Sequence, residues 1–114
     1  MPINYNDSNA KFRLIWLSGR LDIAGTAEIE GKFAAFAATE RIRVIVDLTG
    51  VNFLSSIGIR AIISNAKAQQ QRGGKMVLFV GENATVAKTL ELTGIATLIP
   101  TFKDMSEAEQ AATQ

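Results

Sequence analysis

The sequence predicts one α/β domain spanning residues 1–114, with a mixed sheet of four to five strands and about four helices. Three observations predict it. Short β-branched, apolar segments alternate with segments of helical period, which is typical of a mostly parallel sheet with right-handed crossovers. A turn between two N-terminal strands predicts an antiparallel hairpin at one edge. Apolar residues make up 47% of the chain and charged residues 20%, which favours a packed core over disorder.

The N-terminal hairpin is predicted over residues 3–17, with its first strand at 3–6. The Asp-Ser-Asn cluster at 7–9 supplies the turn, because short polar side chains bond to nearby backbone there. Residues 11–17 alternate in polarity and form the second strand. Three of its apolar residues share one face: Phe12, Leu14 and Trp16.

The first helix is predicted over residues 26–39, after a break at 19–22 (Gly-Arg-Leu-Asp). Three apolar residues recur at helical spacing along it: Ile29, Phe33 and Phe36. Glu28 and Glu30 would then occupy its first turn, where the helix dipole favours acids.

The centre of the chain predicts two buried strands with a helix between them. Residues 43–48 and 75–80 are nearly all apolar, as in strands buried on both faces of a parallel sheet. Residues 49–54 are interpreted as a loop or a short extension of the first of these strands. The second helix is predicted over 57–71 and is ended by the glycines at 73–74. Its core face has four members: Ile59, Ile62, Ile63 and Ala66.

The C-terminal part predicts a third helix at 84–93, a short last strand at 97–99 and a short final helix. The third helix has a signal at each end, a capping residue and a glycine stop: Asn83 and Gly94. Ser106 and Glu109 have the spacing of a capping box for the final helix.

The composition restricts the chemistry. The chain has no cysteine and no histidine, which excludes thiolate zinc sites and cysteine nucleophiles and removes the commonest general base. Twelve basic and 11 acidic residues give a net charge of +1, so no overall field favours nucleic acid or an anionic membrane. No apolar run approaches the roughly 20 residues that span a bilayer. We therefore expect a cytoplasmic protein without catalytic residues, cofactor, metal, nucleic-acid binding or membrane insertion.

The pair Ser55-Ser56 lies where a buried strand passes into the second helix. One hydroxyl is expected to cap that helix, because serine is among the preferred N-cap residues. A helix start also accommodates a phosphate, since its amides are unpaired and its dipole is favourable. Gly58, one turn in, lowers helix propensity, which indicates a close approach of backbone or partner, or a packing requirement.

Three further residues are functional candidates. Ile57 lies off the helix's core face, so it is either an isolated exposed apolar residue or part of a partner surface. Asp22 is interpreted as a cap or turn residue, and Asp47 as a strand-end acid held by loop amides. A phosphate-receiver interpretation of Asp47 lacks the acidic pair that would hold magnesium. Gly73-Gly74-Lys75 is followed by Met76 rather than Ser or Thr, so it is not a nucleotide-binding loop.

Considered together, three segments resemble the STAS domain of bacterial anti-sigma factor antagonists over about residues 3–111: Gly-Arg-Leu-Asp at 19–22, Val-Ile-Val-Asp-Leu-Thr-Gly-Val-Asn-Phe-Leu-Ser-Ser-Ile-Gly-Ile at 44–59, and Leu-Thr-Gly-Ile at 92–95. The resemblance implies a non-catalytic protein that binds a serine-kinase anti-sigma factor in a partner switch and so releases a sigma factor. It also implies that this kinase phosphorylates the protein and that a PP2C-type phosphatase reverses the modification.

The resemblance assigns roles to particular residues. It implies that Ser56 is the phosphoacceptor, Asp22 the nearby loop acid and Gly58 the small residue behind the acceptor, with Ser55 and Ile57 completing the partner-binding set. The family usually has Asp immediately before the acceptor, whereas this chain has Ser55. That departure leaves Ser55 as an alternative acceptor. It also leaves open a constitutive STAS subunit of a transport or scaffold complex that is not phosphorylated.

Overall fold

A computed structural model describes residues 2–7, 10–38 and 43–114. Residues 8–9 of the predicted hairpin turn and the last residue of the predicted first helix, Thr39, lie outside the described residues. The fold has a five-stranded sheet in the order β1-β2-β3-β4-β5. The strands are β1 (Ile3–Asn6), β2 (Arg13–Leu21), β3 (Arg43–Leu54), β4 (Lys75–Phe79) and β5 (Thr101–Phe102). The first pair is antiparallel and the other three pairs are parallel, which confirms the predicted mixed sheet.

Four helices accompany the sheet, as predicted. They are α1 (Ile23–Ala37), α2 (Ser56–Gln71), α3 (Ala84–Thr93) and α4 (Met105–Thr113). The helices α1, α2 and α3 contribute to one large apolar cluster with the sheet, on what we call the three-helix face. The short α4 covers the opposite side, which we call the α4 face.

The burial of β3 on both sides of the sheet explains why the first half of this strand is almost continuously apolar. Val44, Val46 and Leu48 belong to the core of the three-helix face, whereas Ile45 belongs to the cluster under α4. Because side chains alternate between the two sides of a strand, burial on both sides requires an apolar residue at nearly every position.

The predicted break at 19–22 is wrong, since β2 continues to Leu21. Gly19 adopts a positive φ of 82° inside the strand, and the pairing with β3 shifts register next to it. The glycine therefore marks an irregularity in the strand, because it tolerates this backbone conformation, rather than the strand's end. The helix α1 then begins at Ile23, so Glu28 and Glu30 do not lie in its first turn.

Two predictions near the C-terminus are also wrong. Residues 95–97 form a 3₁₀ turn, and the last strand comes after Pro100, at Thr101–Phe102. The cap of α4 is Asp104, whose Oδ1 accepts hydrogen bonds from the amides of Ser106 (2.7 Å) and Glu107 (3.4 Å). An aspartate two residues before Ser106 supplied a competing cap, so the predicted capping box does not form.

The predicted cap and the predicted glycine stop of α3 are both confirmed. Asn83 caps α3, with its Oδ1 accepting from the amide of Val86 at 3.2 Å. Gly94 ends α3 in the left-handed conformation at φ 71°. The segment 49–54 is a strand extension, since β3 continues to Leu54, and this extension carries the chain to the start of α2.

Candidate functional site

The carboxyl ends of β2 and β3 bring the two candidate segments together. Leu21 and Leu54, the last residues of these parallel strands, are register partners. A helix begins directly after each strand, capped by Asp22 for α1 and by Ser55 for α2. The predicted loop acid and the predicted serine pair therefore lie beside each other at one edge of the sheet.

Ser55 ties the start of α2 to the end of β2. Its Oγ donates to the carbonyl of Leu21 at 2.5 Å and accepts from the amide of Gly58 at 3.3 Å. Its backbone amide donates to the same Leu21 carbonyl at 3.1 Å. The half-buried Ser55 is thus the capping residue of the pair, and its hydroxyl both donates and accepts a hydrogen bond.

Ser56 is the first residue of α2 and has an exposed side chain. Within the described part of the chain, its Oγ has no hydrogen-bond partner. The amides at the start of a helix lack intrahelical acceptors and carry a partial positive charge, so they favour an anion. Ser56 therefore combines a free, accessible hydroxyl with a local field that suits a phosphate.

Gly58 is required by packing. A Cβ on this residue would lie 2.9 Å from the carbonyl oxygen of Leu21 and 3.0 Å from both Leu21 Cβ and Leu54 Cδ1. The first turn of α2 is therefore pressed against the ends of β2 and β3. Because the nearest atom is a backbone oxygen, this contact confirms the predicted close approach of backbone, which is here a packing requirement and places no demand on a partner.

Asp22 is held by its own helix. Its Oδ1 accepts from the amide of Gly25 at 2.8 Å, and its Oδ2 lies 3.3 Å from Arg20 Nε. The hydrogen bond from Gly25 lowers the pKa of Asp22 below its usual value, and the hydrogen bond from Arg20 lowers it further. The carboxylate is partly exposed, so it is available at the surface while it caps α1.

Exposed apolar side chains lie around the two helix starts. Ile57 is 38% exposed, Phe53 39% and Ile23 75%. The guanidinium of Arg20 lies 4.5 Å from the centre of the Phe53 ring, its cross-strand partner, in a cation–π contact. We define the serine surface by six residues: Arg20, Asp22, Ile23, Phe53, Ser56 and Ile57.

Sequence reasoning missed three members of this surface, Arg20, Ile23 and Phe53. Strict alternation would group Phe53 with the buried Val51, so the sequence pattern did not predict its exposure. The register shift between Gly19 and Arg20 skips Asn52 and places Phe53 at the surface. Ile23 was missed because the start of α1 was predicted three residues too late.

Asp47 does not belong to the serine surface. It lies within β3, only 7% exposed, on the side of the sheet that faces α4. Its Oδ1 accepts from the amide of Thr49 at 2.8 Å and from Thr49 Oγ1 at 2.6 Å. The prediction that backbone amides hold this acid is confirmed for one amide, but Asp47 does not end its strand.

The described residues lack two further features, a metal-binding group and a membrane-spanning helix. They contain no group of three or more acidic side chains placed to hold a metal ion. Within the same described ranges, each helix is too short or too polar to cross a membrane.

Comparison with known proteins places this geometry in a family. The STAS domain family matches residues 6–108. This chain belongs to the STAS domain family. An anti-sigma-B factor antagonist from Listeria monocytogenes is 26% identical over 85 residues, which cover 75% of this STAS chain and 74% of the relative.

Solved structures share the STAS fold described here. An anti-sigma factor antagonist from Mycobacterium paratuberculosis superposes with a TM-score of 0.85 at 20% identity, covering 98% of this chain and 93% of that one. SpoIIAA in its unphosphorylated form gives a TM-score of 0.73 at 15% identity, with coverage of 96% and 95%. The phosphorylated form of SpoIIAA, a Bacillus cell fate determinant, gives 0.67 at 14% identity, with coverage of 96% and 98%.

Proposed function

We propose that this STAS protein is an anti-sigma factor antagonist that binds a serine-kinase anti-sigma factor through the serine surface and is inactivated by phosphorylation of Ser56. The observation that carries the proposal is the contrast within the serine pair. Ser56 presents an exposed hydroxyl without a partner among the described residues, beside exposed apolar side chains. The Listeria relative named as an anti-sigma-B factor antagonist supports the same class of partner.

The hydrogen bonds favour Ser56 over Ser55 as the acceptor. A phosphate on Ser55 would remove the proton that Ser55 Oγ donates to the Leu21 carbonyl and place negative charge against that oxygen. It would also have to fit where Ser55 is half-buried against the end of β2. Phosphate on Ser56 disturbs no such contact and lies at a favourable helix start.

The physical effect of the phosphate is expected to be local. It adds about −1.5 to −2 charges, which moves the net charge from +1 to about −1. Ile57 and Phe53 lie close to this position and must lose water when a partner covers them. A charge trapped without a counter-charge in such an interface costs about 2–5 kcal/mol, which is enough to break the complex without changing the fold.

Reversal of the switch requires a phosphatase, for which we propose the PP2C type. An exposed phosphoserine on the first residue of a helix is accessible to such an enzyme without unfolding of the STAS domain. That SpoIIAA, which shares the fold, has been solved in a phosphorylated form supports a phosphate on this architecture.

A second candidate function is a constitutive STAS subunit of a transport or scaffold complex, which uses the same surface without phosphorylation. The observation that favours it is that Ser55 occupies the position where the family usually has an aspartate. Its hydroxyl replaces the family's acid with a neutral group that caps α2 and donates to the Leu21 carbonyl. In that case Ser56 would be a contact residue only.

The test combines site-localised phosphopeptide mass spectrometry with binding measurements on the serine-kinase anti-sigma factor from the same cells. We expect phosphate on Ser56, no phosphorylation of Ser56→Ala, and binding of Ser56→Glu weakened by about 30-fold or more, the equivalent of about 2 kcal/mol. Ser106→Glu is the matched control, because Ser106 is an exposed serine in the first turn of another helix, α4. Unphosphorylated protein under all conditions, with Ser56→Glu binding as tightly as Ser106→Glu, would contradict the switch and favour the constitutive subunit.

A further inference from the structure

A row of side chains crosses the α4 face of the sheet at the level of Asp47. Trp16 on β2 and Phe79 on β4 are the register partners of Asp47, and Phe102 on β5 is the partner of Phe79. Residues in register on neighbouring strands point to the same side of a sheet. We call these four residues the aromatic row: Trp16, Asp47, Phe79 and Phe102.

The carboxylate in this row lacks a counter-charge. Asp47 is 7% exposed, and its Oδ1 receives both hydrogen bonds from Thr49. Among the described residues, no basic side chain lies within ion-pair distance of it, and its Oδ2 accepts no hydrogen bond. Oδ2 is also not one of the fully buried atoms without a partner, so solvent still reaches it. A carboxylate that is nearly buried without a cation is costly, and a cation that reached Oδ2 would recover part of that cost.

The helix α4 leaves the row partly uncovered. It has nine residues, or about 13 Å of helix, and its two buried side chains are the small Ala108 and Ala112. The residues Trp16, Phe79 and Phe102 all keep intermediate exposure. The α4 face thus offers aromatic surface on both strands that flank an uncompensated carboxylate.

We propose that the aromatic row binds a lysine or arginine side chain of a protein partner. Asp47 Oδ2 would accept from the cation, and the rings of Trp16 and Phe79 would contact its charged head or its apolar stem. Aromatic faces attract cations, and the attraction is larger when the cation is partly desolvated. The row lies on the α4 face, away from Ser56, so this second binding surface goes beyond the proposed function.

The composition of the row favours an organic cation over a metal ion. One carboxylate cannot hold Ca²⁺ or Mg²⁺, which take six or more oxygen ligands, and the described residues bring no cluster of three acidic groups together. Aromatic rings on either side of a single acid are instead the arrangement that recognises ammonium and guanidinium groups.

The test is an amide-resolved NMR titration of the full chain with acetyl-arginine-amide, using acetyl-citrulline-amide as a neutral probe of nearly the same shape. We expect saturable shifts of the Trp16 indole N–H and of amides near Phe79, and at least tenfold weaker binding of the citrulline probe. Asp47→Asn should weaken arginine binding at least tenfold. Its fold should persist, because an asparagine Oδ1 still accepts from both donors of Thr49. Asp104→Asn, which removes an exposed capping carboxylate from α4, is the matched control and should bind like the wild type.

Several results would overturn the proposal: equal binding of both probes, unchanged arginine binding in Asp47→Asn, or shifts confined to other acidic residues. If Asp47→Asn does not fold, Trp16→Leu keeps the carboxylate and removes one ring, and unchanged binding in that variant would overturn it equally. Sedimentation velocity checks the source of the cation. A dimer of the wild type that Asp47→Asn abolishes would make the occupant a second copy of the chain rather than a different partner.

Discussion

The starts of α2 and α4 are both capped helix ends with an exposed serine in the first turn, yet they are built differently. The side chain of the α4 cap, Asp104, accepts hydrogen bonds from amides two and three residues ahead of it. The cap of α2, Ser55, bonds ahead to Gly58 and also across to Leu21 on another strand. The first kind of helix start needs only local sequence, whereas the second ties the helix to the sheet and holds Ser56 at a defined place on the surface.

The largest effect on stability is expected from Gly58→Ala. The added Cβ would lie 2.9 Å from the Leu21 carbonyl oxygen, so the first turn of α2 must move away from β2. Overpacking of this kind costs about 1–3 kcal/mol, which denaturant unfolding would measure. Gly31→Ala is the matched control, because Gly31 lies in α1 with nothing within 4 Å of an added Cβ. That control should gain about 0.5–1 kcal/mol, and equal losses in both variants would contradict the packing role.

Ser55→Ala is expected to cost about 1 kcal/mol, since it removes the cap and the bond to the Leu21 carbonyl. Ser106→Ala should change stability by less than about 0.5 kcal/mol, because Ser106 is exposed and the cap of α4 is Asp104. Paired unfolding curves would measure both. Similar losses of stability in the two variants would show that the hydrogen bond between Ser55 and β2 adds nothing to the stability of the domain.

Ser56→Glu should leave the fold intact and raise stability by about 0.3–1 kcal/mol at low ionic strength, because it places a negative charge at a helix start. Ser106→Glu should gain less, since the start of α4 already carries the two acids Asp104 and Glu107. Thermal unfolding at two salt concentrations would test this. A clear loss of stability in Ser56→Glu alone would mean that charge at this position disturbs the domain itself rather than only its partner surface.

The smallest effect is expected from Asp22→Asn, and it is measured as a change in how stability depends on pH below about pH 4. The hydrogen bond from Gly25 lowers the pKa of Asp22 in the folded state below its unfolded value. Its contribution is therefore present above about pH 4 and is lost as the pH falls through the folded pKa. Asparagine keeps the cap without the titration, so the variant should lose less stability than the wild type as the pH falls below about 4. Equal losses of stability with falling pH in the variant and the wild type would contradict this.

Local sequence signals predicted much of the fold. Asn83 and Gly94 delimit α3 as expected, because capping and left-handed glycine depend only on a few neighbouring residues. The strand at 43–48 was evident because burial on both sides requires continuous apolar residues. The errors occurred where two local signals competed: Gly19 lies inside a strand rather than at its end, and Asp104 displaced Ser106 as a cap.

The candidate site likewise combines features that local sequence predicts with features that only tertiary contacts decide. The sequence by itself placed a serine pair at the start of α2, predicted that one serine caps it and, through the family resemblance, singled out Ser56. Only the tertiary structure decided which serine is engaged, because the deciding acceptor, the Leu21 carbonyl, is 34 residues away in sequence. It likewise decided that Gly58 is required by the packing of α2 against β2 and β3, and that Asp47 lies in register with Trp16 and Phe79. Local patterns determine where an element begins and ends, whereas contacts between distant strands determine which of its side chains remain free.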